Sequence, residues 1–319
     1  MSMNRLIAIA ASIVASALMF AGADAAAPLT KTQAPGYYRM MLGDFEVTAI
    51  LDGTVPLTVG QLRTNTTPAK VDKALKRAAL TDPVETSVNA YLVNTGDKLV
   101  LIDAGAAKLF GPTLGNLIAN IKAAGYQPEQ IDAVYITHMH PDHVGGLMAG
   151  DKPAFPNATV RADKHEADYW LKQANMEAAP KDAKGFFQGA MASVNPYVAG
   201  GKFQPFDGDT DLVPGIKAVA SHGHTKGHTT YVVESKGQKL VLWGDLMHVA
   251  AVQFPEPSVT IKFDTDSRPA ASARKKAFAD AAKRGYWVAA AHLPFPGIGH
   301  LRAEGNGYVF VPANYSVPR

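Results

Sequence analysis

Thr137-His138-Met139-His140-Pro141-Asp142-His143 packs three imidazoles and a carboxylate into one short run, directly after the apolar stretch Ala133-Val134-Tyr135-Ile136. Imidazole and carboxylate together suit zinc and similar divalent ions. The alternating pair His138 and His140 can converge on one ion, while Asp142 and His143 turn towards a second. A chance cluster of surface histidines is the bland alternative. The rest of the chain weighs against it, because three more clusters follow apolar runs in the same way. Ser221-His222-Gly223-His224-Thr225-Lys226-Gly227-His228 offers three further imidazoles, Val241-Leu242-Trp243-Gly244 ends in Asp245, and Ala289-Ala290-Ala291 ends in His292. Four strand ends supplying His or Asp is the layout of a site built on one edge of a rigid sandwich. The chain has no cysteine, so such a site is built without thiolates, which excludes Cys-ligated zinc and iron–sulfur clusters.

The elements that position these clusters are readable in outline. Phe45 to Leu51, Val88 to Val93, Leu99 to Ile102, Ala133 to Ile136 and Ala158 to Ala162 read as strands. So do Ile216 to Ala220, Thr229 to Glu234, Lys239 to Trp243 and Trp287 to Ala291, the last buried strand. Val71 to Ala79, Thr113 to Ala124, Lys164 to Ala174, Ala183 to Val194 and Ser267 to about Lys283 carry helical spacing. Gly36 to Gly43 reads as an irregular lead-in and Pro56 to Lys70 as a loop. Two β-rich halves, each with helices, suggest an α/β sandwich with ligands on loops at one sheet edge.

Arg5, the apolar run Leu6 to Phe20 and the small residues 21–27 have the order of a cleaved secretory signal peptide. The expectation is export from a bacterial cytoplasm to the periplasm or medium, with residues 1–25 removed and 26–319 forming one domain behind an N-terminal extension. No later stretch is long and apolar enough to span a bilayer, so no membrane partner is expected after cleavage. With 31 Lys and Arg against 28 Asp and Glu, the charge is nearly balanced and spread out. That excludes the concentrated basic face of a nucleic-acid binder. The run Arg274-Lys275-Lys276 reads as a solvated helix face.

The H-x-H-x-D-H motif, followed in order by G-H-T-x-G-H, G-D and A-H, resembles the metallo-β-lactamase-fold hydrolases across nearly all of the chain after the leader. The likeness is closest to the methyl parathion hydrolase-like enzymes, through Ala34 to Met40, Gly185-Phe186-Phe187, Ala192 to Tyr197 and Gly297 to His300. The resemblance implies a four-layer αββα sandwich, a homodimer and two divalent metal ions, zinc by default. It implies one ion held by His138, His140 and His228, and a second by Asp142, His143 and His292. Asp245 would bridge them, with room for a shared hydroxide that attacks a carbonyl or phosphoryl centre. His224 could be a ligand, but its place in the motif resembles that of a residue supporting the ligands. Asp103 is expected to orient ligands, His222 and His300 to lie on loops or the rim, and Asp44 and Asp52 to have no part.

Asp245 argues against a β-lactamase, since those enzymes resemble this chain in the His motif but generally lack a bridging carboxylate there. A glyoxalase II-like thioesterase would show a basic glutathione pocket, and a nuclease a basic surface. Lactones, aryl esters and organophosphate triesters remain as small-molecule substrates. Phe110, Trp170, Phe186 and Phe187 would suit a flat apolar leaving group, or simply pack in the core. His248 lies three residues beyond Asp245, where related lactonases carry a polar Tyr near the substrate carbonyl. With Ile261 and Phe263 it would crowd the pocket and favour a planar lactone or aryl ester over a tetrahedral triester. A dedicated triesterase and a non-catalytic metal-binding protein on the same fold are the alternatives.

Overall fold

A computed structural model describes residues 27–318; the expected leader lies outside them. Of these, the residues from Pro35 onward form one unit. Its first sheet runs β1-β2-β3-β4-β5-β8, comprising β1 (Tyr37–Leu42), β2 (Phe45–Leu57), β3 (Val84–Asn94), β4 (Leu99–Ile102), β5 (Ala133–Tyr135) and β8 (Thr159–Arg161). The first four strands pair antiparallel, and β4, β5 and β8 run parallel. A small hairpin, β6 (Met148–Ala149) with β7 (Lys152–Pro153), stands apart. The second sheet has the order β15-β14-β13-β12-β11-β10-β9, from β9 (Thr210–Val213), β10 (Ile216–Ala220), β11 (Thr229–Ser235), β12 (Gln238–Leu242), β13 (Trp287–Ala289), β14 (Ile298–Glu304) and β15 (Gly307–Pro312). Only β12 and β13 are parallel in it.

The helices are α1 (Val59–Leu62), α2 (Pro68–Arg77), α3 (Leu117–Ala123), α4 (Pro141–Val144), α5 (Lys164–Trp170), α6 (Gln173–Ala178), α7 (Lys184–Ala199), α8 (Ala250–Gln253) and α9 (Ser267–Arg284). Successive strand side chains point to opposite faces, and here both faces are covered. On β4, Val100 and Ile102 enter the core between the sheets, while Leu99 and Leu101 face the layer of α3 and α7. On β12, Leu240 and Leu242 enter the core between the sheets, and Val241 with Trp243 packs on Phe278 of α9. Each fully buried side chain of this kind stabilises the fold by roughly 1.5–3 kcal/mol relative to exposure. The result is the expected four-layer αββα sandwich. Asp266 caps the start of α9, and Gly285 ends it in the left-handed conformation at φ 68°.

Several elements differ from the sequence expectation. Tyr37–Leu42 is a strand, because its alternate residues Tyr38, Met40 and Leu42 are buried against the second sheet. The expected loop over 56–70 ends β2, forms α1 and starts α2 at Pro68, behind the Thr67 cap. The helix expected over 164–174 breaks at Leu171 into α5 and α6. Beyond His292 two more strands, β14 and β15, close the second sheet. Among the described residues no helix is long and apolar enough to cross a membrane.

Candidate metal centre

The first cluster begins where β5 ends. His138 and His140 lie on the turn after it, and Pro141 at the first helical position starts α4, which presents Asp142 and His143. His224 and His228 lie between β10 and β11, Asp245 follows β12, and His292 follows β13. Gly244 makes the turn to Asp245 possible. It has φ 53°, and a Cβ there would come within 2.8 Å of Thr137 Cβ and 3.0 Å of His228 Nε2.

Two groups of side chains converge on the opposite oxygens of Asp245. Its Oδ2 lies 3.6 Å from His138 Nε2 and 3.4 Å from His224 Nε2. His224 Nε2 is also 3.1 Å from His140 Nδ1. Asp245 Oδ1 lies 3.3 Å from His143 Nε2 and 3.2 Å from His292 Nε2, and Asp142 Oδ2 is 3.4 Å from His292 Nε2. His143 Nε2 and Asp245 Oδ1 are both buried without a hydrogen-bond partner. Buried polar groups are normally paired, so these two orphaned ligand atoms, 3.3 Å apart beside Asp142 and His292, fit a cation at that point. The four-residue sets His138, His140, His224, Asp245 and Asp142, His143, Asp245, His292 each have ligand atoms within 4.8 Å of one another.

The model of the Metallo-beta-lactamase superfamily matches residues 83–292 of this chain. The chain belongs to that superfamily. A solved structure of the hydrolase AbOPH in the beta lactamase superfamily is 40% identical, with a TM-score of 0.85, over 90% of this chain and 100% of that one. AidC, a dizinc quorum-quenching lactonase in complex with a product N-hexanoyl-L-homoserine, is 26% identical with a TM-score of 0.82, over 88% of this chain and 99% of that one. An N-acyl homoserine lactonase of Bacillus cereus is 24% identical over 171 residues. That alignment takes in 48% of this chain and only 60% of the relative.

Within this metallo-β-lactamase scaffold, the far nitrogen of nearly every clustered imidazole is fixed by a partner, which sets which nitrogen faces inward. Asp103 Oδ2 is 2.8 Å from His143 Nδ1, and Asp103 also accepts the backbone N–H and hydroxyl of Thr137 at 2.8 and 2.9 Å. His292 Nδ1 is 2.9 Å from the Ser87 carbonyl, and His224 Nδ1 is 2.9 Å from Asp264 Oδ1. Glu166 of α5 accepts the N–H groups of Met139 and Gly227 at 2.9 and 2.6 Å, joining the two His-rich loops through one carboxylate. Burial and the neighbouring His143 hold His138 well below the usual imidazole range, and burial with His224 does the same to His140. His292 goes the other way. Burial lowers it, but Asp245 and Asp142 together raise it to about 10.

The structure exchanges the places expected of His224 and His228. His224 faces Asp245, whereas His228 is turned away. The Nε2 of His228 accepts the Asp245 N–H at 3.0 Å, and its Nδ1 lies 2.7 Å from Ser221 Oγ. Both His228 nitrogens are therefore engaged in shaping the Asp245 turn. His222 and His300 lie outside both groups; the His300 ring lies tilted against Trp287, with centroids 3.8 Å apart.

A cavity of about 300 Å³ opens over Asp245. Phe110, Phe186, His248 and Phe263 line it, as the sequence suggests. Trp170, Phe187 and Ile261 do not. Trp170 and Phe187 are buried in the core around α7, with Trp170 set edge-on behind His140 at 5.3 Å. Ile261 is fully buried, and its N–H donates to Asp264 Oδ2 at 3.0 Å. The remaining wall comes from residues that sequence reasoning missed: Val55 and Leu57 of β2, Thr86 and Val88 of β3, and Leu114. Asp52 also has a part. It is fully buried and accepts the N–H groups of Ala106, Gly115 and Leu117, at 2.9, 3.1 and 3.1 Å. That anchors the loop that carries Phe110 and Leu114.

Proposed function

We propose that this chain is a binuclear zinc hydrolase that opens lactones and cleaves aryl esters, with phosphotriester hydrolysis of the methyl parathion type as a side activity. The observation that carries the reading is Asp245, which turns one oxygen to each of two imidazole groups beneath a largely apolar cavity. His138, His140 and His224 would hold one ion and Asp142, His143 and His292 the other, with Asp245 shared. When bound, such a pair of ions supplies Lewis acidity and turns water into a nucleophile at neutral pH.

The chain's own residues do the rest. Asp103, Asp264 and the Ser87 carbonyl hold the imidazoles in the tautomers that present lone pairs inward. Phe110 and Phe186, edge to face at 6.4 Å, offer a flat slot for an aromatic leaving group. Such a phenolate departs without a general acid.

His248 sets the preference among substrates. Its Nε2 lies 3.0 Å from Asp245 Oδ2, yet neither ring nitrogen makes an aligned hydrogen bond. Burial lowers its pKa to about 4, so it is neutral at pH 7. A neutral, unpaired imidazole in the wall of an apolar cavity favours a substrate that brings a polar atom to it, such as a lactone carbonyl. A volume of about 300 Å³ is at the small end for ligand pockets. It suits a planar bicyclic lactone better than a tetrahedral triester. The N-acyl homoserine lactonases and AidC among the relatives support the lactone reading, and AbOPH supports hydrolase chemistry on the same scaffold.

The test is a comparison of kcat/KM on zinc-loaded protein for dihydrocoumarin, an N-acyl homoserine lactone, phenyl acetate and methyl parathion. The lactone and aryl ester should lead. A larger kcat/KM on the triester than on every lactone would make the chain a dedicated triesterase.

A further inference from the structure

A second kind of His and Asp cluster lies at the start of α5, apart from both groups around Asp245. Asp163, His165 and His222 each offer a ligand atom within 4.8 Å of the others. The carboxylate is fully buried, while the two imidazoles are about half exposed, at 46% and 37%. Their rings lie 5.2 Å apart. Asp163 is fixed from below: Oδ1 accepts the His165 N–H at 2.7 Å and Oδ2 accepts the Gly208 N–H at 3.0 Å. A carboxylate oxygen has two lone-pair sites, so Oδ2 keeps one free.

The decisive atom is His222 Nε2. It is buried, makes no aligned hydrogen bond, and lies 3.7 Å from Asp163 Oδ2. This is too long for a hydrogen bond. It is close to the roughly 3.4 Å between two ligands of a tetrahedral ion with bonds of about 2.0–2.1 Å. His165 Nδ1 rests on Asp163 Oδ1 at 2.7 Å, with the ring about half exposed beside the carboxylate. A helix N-terminus disfavours a cation, but its field amounts to about half a charge, and the buried carboxylate supplies a whole one.

We propose that Asp163, His165 and His222 form a third, peripheral site for a zinc-like divalent ion, with its fourth position open to water. The site joins α5 to the loop that carries His224 and His228. Glu166, on the same helix, already holds the backbone of Met139 and Gly227. With Glu166 already holding both His-rich loops, an ion at Asp163 adds a peripheral tie outside the cavity and leaves the main centre as it is. The proposal is independent of the substrate reading.

The test uses tag-free, full-length protein and its His165→Gln variant, dialysed to equilibrium at micromolar free zinc. Wild type should hold one zinc ion more per chain than His165→Gln, with hydrolysis at the main centre unchanged. This difference stays at one whatever the occupancy of the main centre, so failure of the two-ion reading shows separately. One equivalent of copper(II) added to wild type whose main centre alone is loaded with zinc should give an EPR spectrum split by two imidazole nitrogens, reduced to one in His165→Gln. Equal metal content in the two proteins, or a copper spectrum that His165→Gln leaves unaltered, overturns the proposal.

Discussion

Asp264→Asn probes whether His224, rather than His228, is a ligand. The Asp264 carboxylate is fully buried and serves two donors, His224 Nδ1 at 2.9 Å and the Ile261 N–H at 3.0 Å. Asparagine keeps the shape but replaces two acceptors with one acceptor and one donor. With its oxygen on His224, its amide meets the Ile261 N–H, donor against donor. Flipped, its amide donates to His224 Nδ1 and moves the ring proton to Nε2, the nitrogen that faces Asp245 and His138 at 3.4 and 3.2 Å. Either outcome damages the centre. Losing the partner of a metal-binding imidazole lowers metal affinity about 10–100-fold, which is roughly 1.4–2.7 kcal/mol. An unpaired buried donor costs about 1–3 kcal/mol of stability besides, and each kcal/mol lowers Tm by roughly 2–4 °C in a chain of this size. Competition against a chromophoric chelator measures the affinity, and elemental analysis counts the ions. Ser221→Ala, which removes the partner of His228, is the matched control and should keep both ions. If Asp264→Asn kept both ions at wild-type affinity while Ser221→Ala lost one, the assignment of His224 would be refuted and His228 would be the ligand.

Full chelation should abolish lactone and ester hydrolysis, and two equivalents of zinc should restore it; activity that survives metal removal, checked by elemental analysis, sinks the mechanism. His248→Ala should lower kcat/KM on dihydrocoumarin about tenfold or more, by removing the polar wall group, and should narrow the gap to methyl parathion by widening the cavity; an unchanged ratio in steady-state kinetics counts against a substrate contact. Asp132→Asn tests acid stability away from the site. Burial raises the Asp132 carboxyl, but the Leu99 N–H and Lys98 hold it below its ordinary value on balance. A depressed carboxylate contributes stability above its unfolded pKa, near 3.9, and loses it as pH falls through the lower folded value. The group is partly exposed, so the variant should cost only about 0.5–1 kcal/mol at pH 7. Denaturant midpoints of the two proteins should converge as the pH drops below 4, and a constant gap would contradict the assignment.

What could be read from the chain, and what could not, follows from the range of the interactions involved. His138, His140, Asp142 and His143 were legible because one turn and one short helix place all four, and the order of residues sets which way each faces. Asp245 and His292 were legible because each ends a buried strand, and β12 and β13 are parallel neighbours whose ends must come together. His224 and His228 could not be told apart on such grounds. They share one loop, and what separates them is a pair of remote partners, Asp264 for one and the Asp245 backbone for the other. Asp264 lies forty residues beyond His224 in a polar stretch with no periodicity, so nothing local marks it.

The cavity wall was hidden for a related reason. The side chains of β2 alternate, but a register shift between Leu51 and Gly53 resets which residues of its second half face the site. Val55 and Leu57 therefore line the cavity because of an irregularity in pairing rather than a pattern in composition. The aromatic residues divide in the same way. Phe186 and Phe187 are adjacent on α7 and so point apart. One faces the cavity and the other is sealed in the core with Trp170. Ligand type is thus encoded locally and substrate shape non-locally. A substitution in the H-x-H-x-D-H run should disable every reaction of the site together. Substitutions at Val55, Phe186, His248 or Phe263 should instead change the ranking of substrates while leaving the metal content intact.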